Sequence, residues 1–299
     1  MNPMAQAVWR LSAGRSVAID RPCVLGIMNV TPDSFSDGGE HASVEAALRG
    51  AERMLAEGAD GLDVGAESTR PGAARVSAAE QIARAAPVIG ALRRSLGDGF
   101  AITIDTTLCE VAAAALDAGA DAVNDVSAAM EDAGMLRLCA ARKCGIVLMH
   151  RLAPPGRDVF SHQYAQAPEY AGNVVDAVRG FLAERAAAAV LAGVDRAGIV
   201  LDPGLGFGKS VEQNLELIAR TGEIATLGYP VMSGISRKSF TAAAAGMDPA
   251  KVPPRERVDA TLRLSVLHWM SGARIFRVHD VREHVGALRT VRTRPGQGP

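Results

Sequence analysis

The chain has 299 residues, with 32 lysines and arginines against 33 aspartates and glutamates, a formal net charge of −1. Hydrophobic residues make up 48% and charged residues 22%, and mean hydropathy is mildly positive. That balance excludes a disordered chain and a general electrostatic drive toward nucleic acid or anionic membrane. No apolar run reaches the length of a membrane span and no signal-like stretch opens the chain, so a soluble cytoplasmic protein is expected. The four cysteines (Cys23, Cys109, Cys139 and Cys144) are scattered without a C-x-x-C pair, in keeping with a reducing compartment.

In chain order, apolar residues at 8–11 and 17–19 flank Ser12-Ala13-Gly14-Arg15, which predicts a hairpin extension over 1–22 that caps the bottom of a barrel. A first strand is expected at 24–28. From there a unit repeats: an Ala/Leu/Glu/Arg-rich amphipathic stretch, a glycine, then a short apolar run. Gly58-Ala59-Asp60 precedes Gly61-Leu62-Asp63-Val64, and Gly119-Ala120-Asp121 precedes Ala122-Val123-Asn124-Asp125. Gly193-Val194-Asp195 and Gly272-Ala273-Arg274 stand before two further runs. Glycine just past a helix takes the left-handed conformation that closes it, and a short, wholly apolar run is the mark of a strand buried on both faces. With runs at 101–104, 145–149 and 230–233, eight strands alternate with helices. Eight βα units in about 250 residues predict a TIM (β/α)8 barrel over 23–290, a single α/β domain, with a polar tail at 291–299. A doubly wound open sheet is the alternative that periodicity leaves standing.

Polar residues stand where each apolar run stops. Asn29, Asp63, Asp105, Asn124, His150 and Asp202 end the first six strands. Ser236-Arg237-Lys238-Ser239 comes after the seventh, and Arg277-Val278-His279-Asp280 closes the eighth. Any one of them reads equally well as a helix cap. All eight together read as the C-terminal face of a barrel, where active sites are built. The middle strands offer hydrogen-bonding acids and an amide, suited to a flat heterocycle, and the last two strands offer cations at the usual phosphate corner. Two connections, 30–39 and 66–73, are longer than a βα turn needs and read as binding loops. Gly204-Leu205-Gly206-Phe207-Gly208-Lys209-Ser210 looks like a nucleotide loop but fails both fingerprints, at Pro203 and at Lys209. It reads instead as a turn that lets backbone approach a ligand, with Phe207 available for stacking.

These stretches together resemble the dihydropteroate synthase family. The resemblance rests on Gly26-Ile27-Met28-Asn29-Val30-Thr31-Pro32-Asp33-Ser34-Phe35-Ser36-Asp37-Gly38-Gly39, on Glu67-Ser68-Thr69-Arg70-Pro71-Gly72, and on Ile104-Asp105-Thr106 and Asn124-Asp125. Leu201-Asp202-Pro203-Gly204-Leu205-Gly206-Phe207, Ser236-Arg237-Lys238-Ser239 and Arg277-Val278-His279-Asp280 complete it in the family's order. It implies condensation of 6-hydroxymethyl-7,8-dihydropterin diphosphate with 4-aminobenzoate, giving 7,8-dihydropteroate and pyrophosphate, by a homodimeric cytoplasmic enzyme. Mapped residue by residue, it implies that Asp105, Asn124, Asp202 and Lys238 hold the pterin, with Met149 against the ring. Asn29 would sit by Mg²⁺ and pyrophosphate, with Arg70, Arg277 and His279 on the phosphates. Phe35, Thr69, Pro71, Phe207 and Ser236 would shape the aminobenzoate slot. Asn29, Lys238, Arg277 and His279 would carry the catalysis, and Lys238→Ala and Arg277→Ala are expected to remove activity with little loss of fold.

The chain departs from the family pattern at Ala66, where a second glycine is usual, and at Ile235, where a smaller residue precedes Ser-Arg-Lys. Asp259-Ala260-Thr261, Arg263 and the loop at 151–164 are also atypical, and Ile235 is expected to narrow the aminobenzoate side. Two alternatives remain open at this level: a pterin-binding paralogue without turnover, and the methyltetrahydrofolate-binding barrel of a corrinoid methyltransferase. The second would share Asp105, Asn124 and Asp202 but would have no use for Arg277-Val278-His279.

Overall fold

The computed structural model describes residues 7–30 and 39–291, so most of the first long loop, with Phe35, and the expected tail from 292 lie outside the described residues. The N-terminal hairpin pairs β1 (Val8–Arg10) antiparallel to β2 (Ser16–Ala18) through a 3-10 turn at Ser12–Gly14. Eight parallel strands succeed it: β3 (Cys23–Asn29), β4 (Gly61–Gly65), β5 (Ala101–Asp105), β6 (Ala122–Asp125), β7 (Gly145–Met149), β8 (Ile199–Asp202), β9 (Val231–Ser233) and β10 (Ala273–Val278). They lie in sequence order, and β10 pairs with β3 through Ile275 opposite Cys23, which closes the sheet. Closure excludes the open doubly wound sheet.

The surrounding helices are α1 (Gly39–Ala56), α2 (Ala78–Leu96), α3 (Cys109–Asp117), α4 (Met135–Arg142), α5 (Val174–Leu191), α6 (Val211–Ala219), α7 (Thr221–Ala225), α8 (Ser239–Ala244), α9 (Val258–Met270) and α10 (Val281–Thr290). Several open on side-chain caps that satisfy their first N–H groups. The Ser77 hydroxyl accepts from Glu80 N at 3.3 Å, and Asn173 Oδ1 accepts from Val175 and Asp176 N at 3.0 Å each. The four glycines of the repeat all have positive φ, between 95° and 118°, as their place after a helix requires.

Alternation along each strand divides the side chains between two cores. One set, with Leu62, Ile102, Ile104, Val123, Ile146, Leu148 and Leu201, faces the helices. The other set points into the barrel, and its lowest layer (Leu25, Ala101, Ala122, Val147, Val200, Met232 and Ile275) packs with Trp9, Leu11 and Ile19 of the hairpin. Trp9 is fully buried and its Nε1 donates to Gly198 O at 2.9 Å, so the hairpin plugs the N-terminal end as its sequence predicts. The interior is therefore filled from below. What remains open is the other end, where the polar residues sit.

Among the described residues no helix is long and apolar enough to cross a membrane. Ile235 is buried in the layer between barrel and helices, not in the wall of the cavity at the C-terminal face. It therefore does not narrow that cavity, contrary to the sequence expectation. The alternation that turns Gly234 and Ser236 inward turns Ile235 out.

Candidate active site

The C-terminal face holds an open cavity of about 1110 Å³. That exceeds the usual volume for one drug-sized ligand, about 300–1,000 Å³, and leaves room for two substrates side by side. Asn29, Thr69, Arg70, Pro71, Asp105, Phe207, Ser236, Lys238, Arg277 and His279 line it, ten of the residues singled out from the sequence. Asn124, Met149 and Asp202 lie buried at the inner ends of β6, β7 and β8.

The floor of the site is an ionic layer that sequence reading reaches only in part. β4 runs on to Gly65, so Asp63 is not a strand end; it lies one inward layer deeper, level with Thr103, while Asn124 pairs in register with Asp105. Its carboxylate accepts from the Arg277 Nε, from the Thr103 hydroxyl and, at 3.3–3.4 Å, from the Asn124 amide. Arg277 Nη2 donates to Asp105 Oδ2 at 2.7 Å. One guanidinium thus bridges two buried carboxylates from neighbouring strands. Burial alone would lower the Arg277 pKa, but the charges of Asp63 and Asp105 outweigh it and raise it. Burial pushes the Asp105 carboxyl up to about 7 against the pull of Arg277, and it raises Asp202 as well.

Lys238 and Phe207 form the side wall. The half-buried Lys238 ammonium donates to the Leu205 carbonyl and stands 4.2 Å over the Phe207 ring centroid, a cation–π contact. Phe207 packs with Met149 and Val126, an apolar surface on which a flat ring can lie. Desolvation lowers the Lys238 pKa to about 8, with the Arg277 charge adding to it and Asp202 opposing it.

The last two strands build the opposite wall. Ser236 Oγ accepts from His279 N at 3.0 Å and also lies 3.0 Å from His279 Nδ1. A hydroxyl that accepts from the backbone N–H can give its own proton to Nδ1, an arrangement compatible with a ring proton on Nε2. Burial, with Arg277 and Arg237 nearby, lowers the His279 pKa to about 3, so the ring is neutral. Ser236, expected in the aminobenzoate slot, is thus bonded to His279. Arg237, grouped with the phosphate cations on sequence, instead pairs with Asp280, Nε to Oδ2 at 2.9 Å. Its φ of 59° is rare for a side chain of this size, and the backbone is held there by Thr261 Oγ1 at 3.2 Å from Arg237 N and Arg257 Nη1 at 3.1 Å from Arg237 O. Ser236, Arg237 and Lys238 all line the cavity, with the Arg237 guanidinium held there by Asp280.

The loop at 66–77 carries Thr69, Arg70 and Pro71 across the mouth. Gly72 N donates to Pro155 O at 3.0 Å, which ties the loop to the segment after β7, and Val76 N donates to Glu67 Oε1 at 2.7 Å, which closes the loop on itself. Arg70 is exposed at the rim. Asn29 is exposed at the end of β3, its Oδ1 on the side of Gly65 and Asp105. Among the described residues no three His, Cys, Asp or Glu side chains stand together as a metal cage. A single amide oxygen suits a cation held mainly by substrate oxygens, which is how Mg²⁺ binds phosphates.

A family model described as pterin binding enzyme matches residues 25–279. Dihydropteroate synthase from Streptococcus pyogenes is 43% identical over 272 residues, covering 91% of this chain and 95% of that protein. The solved dihydropteroate synthase of Xanthomonas albilineans with 4-aminobenzoic acid superposes with a TM-score of 0.83 at 40% identity, covering 96% of this chain and 97% of that one. The same enzyme in complex with 7,8-dihydropteroate gives 0.78 at 39% identity, covering 94% and 97%. Matched along nearly its whole length in sequence and in fold, the chain belongs to the pterin-binding enzymes, among the dihydropteroate synthases.

Proposed function

We propose that this enzyme joins 6-hydroxymethyl-7,8-dihydropterin diphosphate to 4-aminobenzoate, releasing pyrophosphate. The observation that carries the reading is Arg277, set between the acids of the barrel interior and the His279–Ser236 pair, so that a hydrogen-bonding pocket and an anion pocket meet at one guanidinium. Asp105, Asn124, Asp202 and Lys238 accept from and donate to the edge of the pterin, and Met149, Val126 and Phe207 support its face. The Asp202 Oδ1 is bonded to Gly204 N at 2.7 Å, which leaves Oδ2, beside Gly234, for the heterocycle.

The C–O bond to the diphosphate breaks, and its electron pair leaves with pyrophosphate. The positive charge spreads into the dihydropterin, and the arylamine nitrogen captures the methylene carbon. An arylamine is neutral at pH 7, so the site needs no strong base; its proton is lost to solvent after capture. What the chain must supply is stabilisation of the departing anion and exclusion of water. Arg277 offers the Nη1 edge not spent on Asp63 and Asp105, His279 offers its Nε2–H, and Arg70 approaches from the rim. Asn29 would hold Mg²⁺ against the diphosphate, where the ion neutralises charge on the leaving group. Thr69, Pro71, Phe207 and Ser236 bound the aminobenzoate side, which the family resemblance also assigns to Phe35, outside the described residues. A corrinoid methyltransferase barrel has no anion to grip, and the Arg277–His279–Ser236 wall favours the synthase.

Purified protein with Mg²⁺ is expected to release pyrophosphate only when both substrates are present. Pterin binding without release would return the reading to a silent paralogue. The reading also carries a cytoplasmic homodimer, with Leu267 and Met270 of α9, 51% and 64% exposed, as apolar surface for a second copy; a sample that sediments as a monomer would remove that part.

The pH profile tests the charge assignments. Lys238 is protonated below about pH 8 and loses its charge above, so kcat/KM is expected to fall on the alkaline side from about pH 8. His279 stays neutral down to about pH 3 and adds no limb between pH 5 and 8. An acid limb near the ordinary histidine value that disappears in His279→Gln would show that the ring is charged instead.

A further inference from the structure

Beneath the site lies a buried cluster that the chemistry above does not use. The turn after β8 runs through Gly204, Gly206 and Gly208, all at positive φ (66°, 85° and 63°). A Cβ on Gly204 would lie 1.7 Å from His150 O, so the turn presses against the chain leaving β7. Glycine permits this path without enforcing it, because its backbone has the most freedom to lose. Enforcement comes from Lys209, whose side chain is fully buried. Its Nζ lies 2.9 Å from Phe207 O, 3.0 Å from Gly204 O and 3.0 Å from His150 Nδ1. The three protons meet these three acceptors, with His150 O a longer fourth at 3.5 Å; burial lowers the Lys209 pKa to about 7 against the pull of Asp202, so the cation holds at and below neutral pH. Burial, helped by the Lys209 charge, drives the His150 pKa down to about 2, so the ring is neutral and Nδ1 is free to accept.

A second set of bonds holds the turn from outside. Asp158 Oδ2 accepts from Gly208 N at 2.9 Å, its Oδ1 accepts from the Tyr164 hydroxyl at 2.6 Å, and the Tyr170 hydroxyl donates to Gly208 O at 2.6 Å. The turn carries two groups of the site: the Leu205 carbonyl that receives Lys238, and the Phe207 ring below the same ammonium.

We propose that Lys209 is a positioning residue of this enzyme: by tying the Gly204 and Phe207 carbonyls to His150, it sets where Phe207 and Leu205 O stand, and so shapes the pocket for both ring systems. The atypical loop at 151–164 supplies Asp158 and Tyr164 to the same purpose. The inference rests on the synthase reading, and wild-type pyrophosphate release tests that reading separately.

The test compares two ligands by titration calorimetry, 7,8-dihydropteroate, which spans both ring sites, and inorganic pyrophosphate, held by the opposite wall. Lys209→Met keeps the stem and removes the cation. Dihydropteroate affinity is expected to fall about 30-fold, the weight of one charge-assisted hydrogen bond, while pyrophosphate affinity changes less than about threefold. In Lys209→Ala, added ethylammonium is expected to restore part of the dihydropteroate affinity, which it does not do in Lys209→Met, where the stem fills the space. Loss of both ligands alike, or of neither, overturns the proposal. If Lys209→Met gives no cooperative thermal transition, Asp158→Ala carries the test on the same two affinities, with the same split expected and the same outcomes overturning it. Wild-type protein that binds no dihydropteroate would sink the synthase reading itself.

Discussion

Arg277→Met is expected to lower turnover by about 1,000-fold or more and to destabilise the fold by about 3–5 kcal/mol. Both effects come from one position. Arg277 is mostly buried between Asp63 and Asp105, and its removal leaves two carboxylates inside the barrel without their cation. Breaking a buried pair costs more than forming it contributed, because the remaining charge cannot return to water. The bridge thus overturns the sequence expectation that Arg277→Ala spares the fold.

The pH dependence of the deficit has a definite sign. Asp105 titrates at about 7 in the folded chain against the ordinary carboxylate value of 3.8, so the folded state binds the proton more tightly. Its contribution to stability is therefore present in acid and is lost as pH rises from about 4 through 7. Without Arg277 the carboxyl rises further, so this part of the deficit grows from about pH 7 upward, between the two folded-state values, and is largest above both. Urea unfolding followed by the fluorescence of Trp9 and Trp269 measures this directly. Adding Asp63→Asn to Arg277→Met is expected to recover part of the stability and none of the activity. A single variant as stable as wild type at pH 8 would mean that the guanidinium does not bridge the two acids.

Lys238→Ala is expected to reduce kcat/KM for the pterin diphosphate by about 100- to 1,000-fold while leaving the melting temperature nearly unchanged. The ammonium feels the charge of Asp202, stacks on Phe207 and bonds Leu205 O. The folded state holds its proton less tightly than the unfolded chain, so below about pH 8 the buried charge detracts from stability, and the contribution improves as pH rises above that value. Truncation is therefore expected to have little structural cost, and on the proposed reading it removes a contact to the pterin. Lys238→Arg is expected not to restore activity, because the wider planar guanidinium cannot replace the compact ammonium where it donates to Leu205 O. Steady-state kinetics with dihydropteroate titration decides the matter: a loss under tenfold would place Lys238 outside the pterin grip.

Much of this architecture is legible in local pattern. The four helix-closing glycines mark the repeat, the apolar runs mark strands buried on both faces, and the polar residues after those runs mark the functional end. All of these are signals within a few residues, set by backbone conformation and by a side chain's preference for water. The features that local pattern misses share a different origin. Asp63 reads as a strand end because Val64 closes the apolar run, yet β4 continues to Gly65 and turns it into the interior. Lys209 reads as part of a failed nucleotide motif, since lysine is almost never fully buried and nothing beside it in the chain shows that three acceptors await it. Ser236 and Arg237 read alike by neighbourhood, whereas the fold bonds Ser236 to His279 and Arg237 to Asp280.

By itself, then, the sequence determined the βα repeat, the end of the barrel that holds the open cavity, and the kinds of groups gathered there. The tertiary structure alone decided which groups meet. Arg277 reaches Asp63 across 214 residues, and Lys209 reaches His150 across 59. Such partners depend on the stagger between strands when the sheet closes on itself, a property of all eight at once that no local stretch encodes.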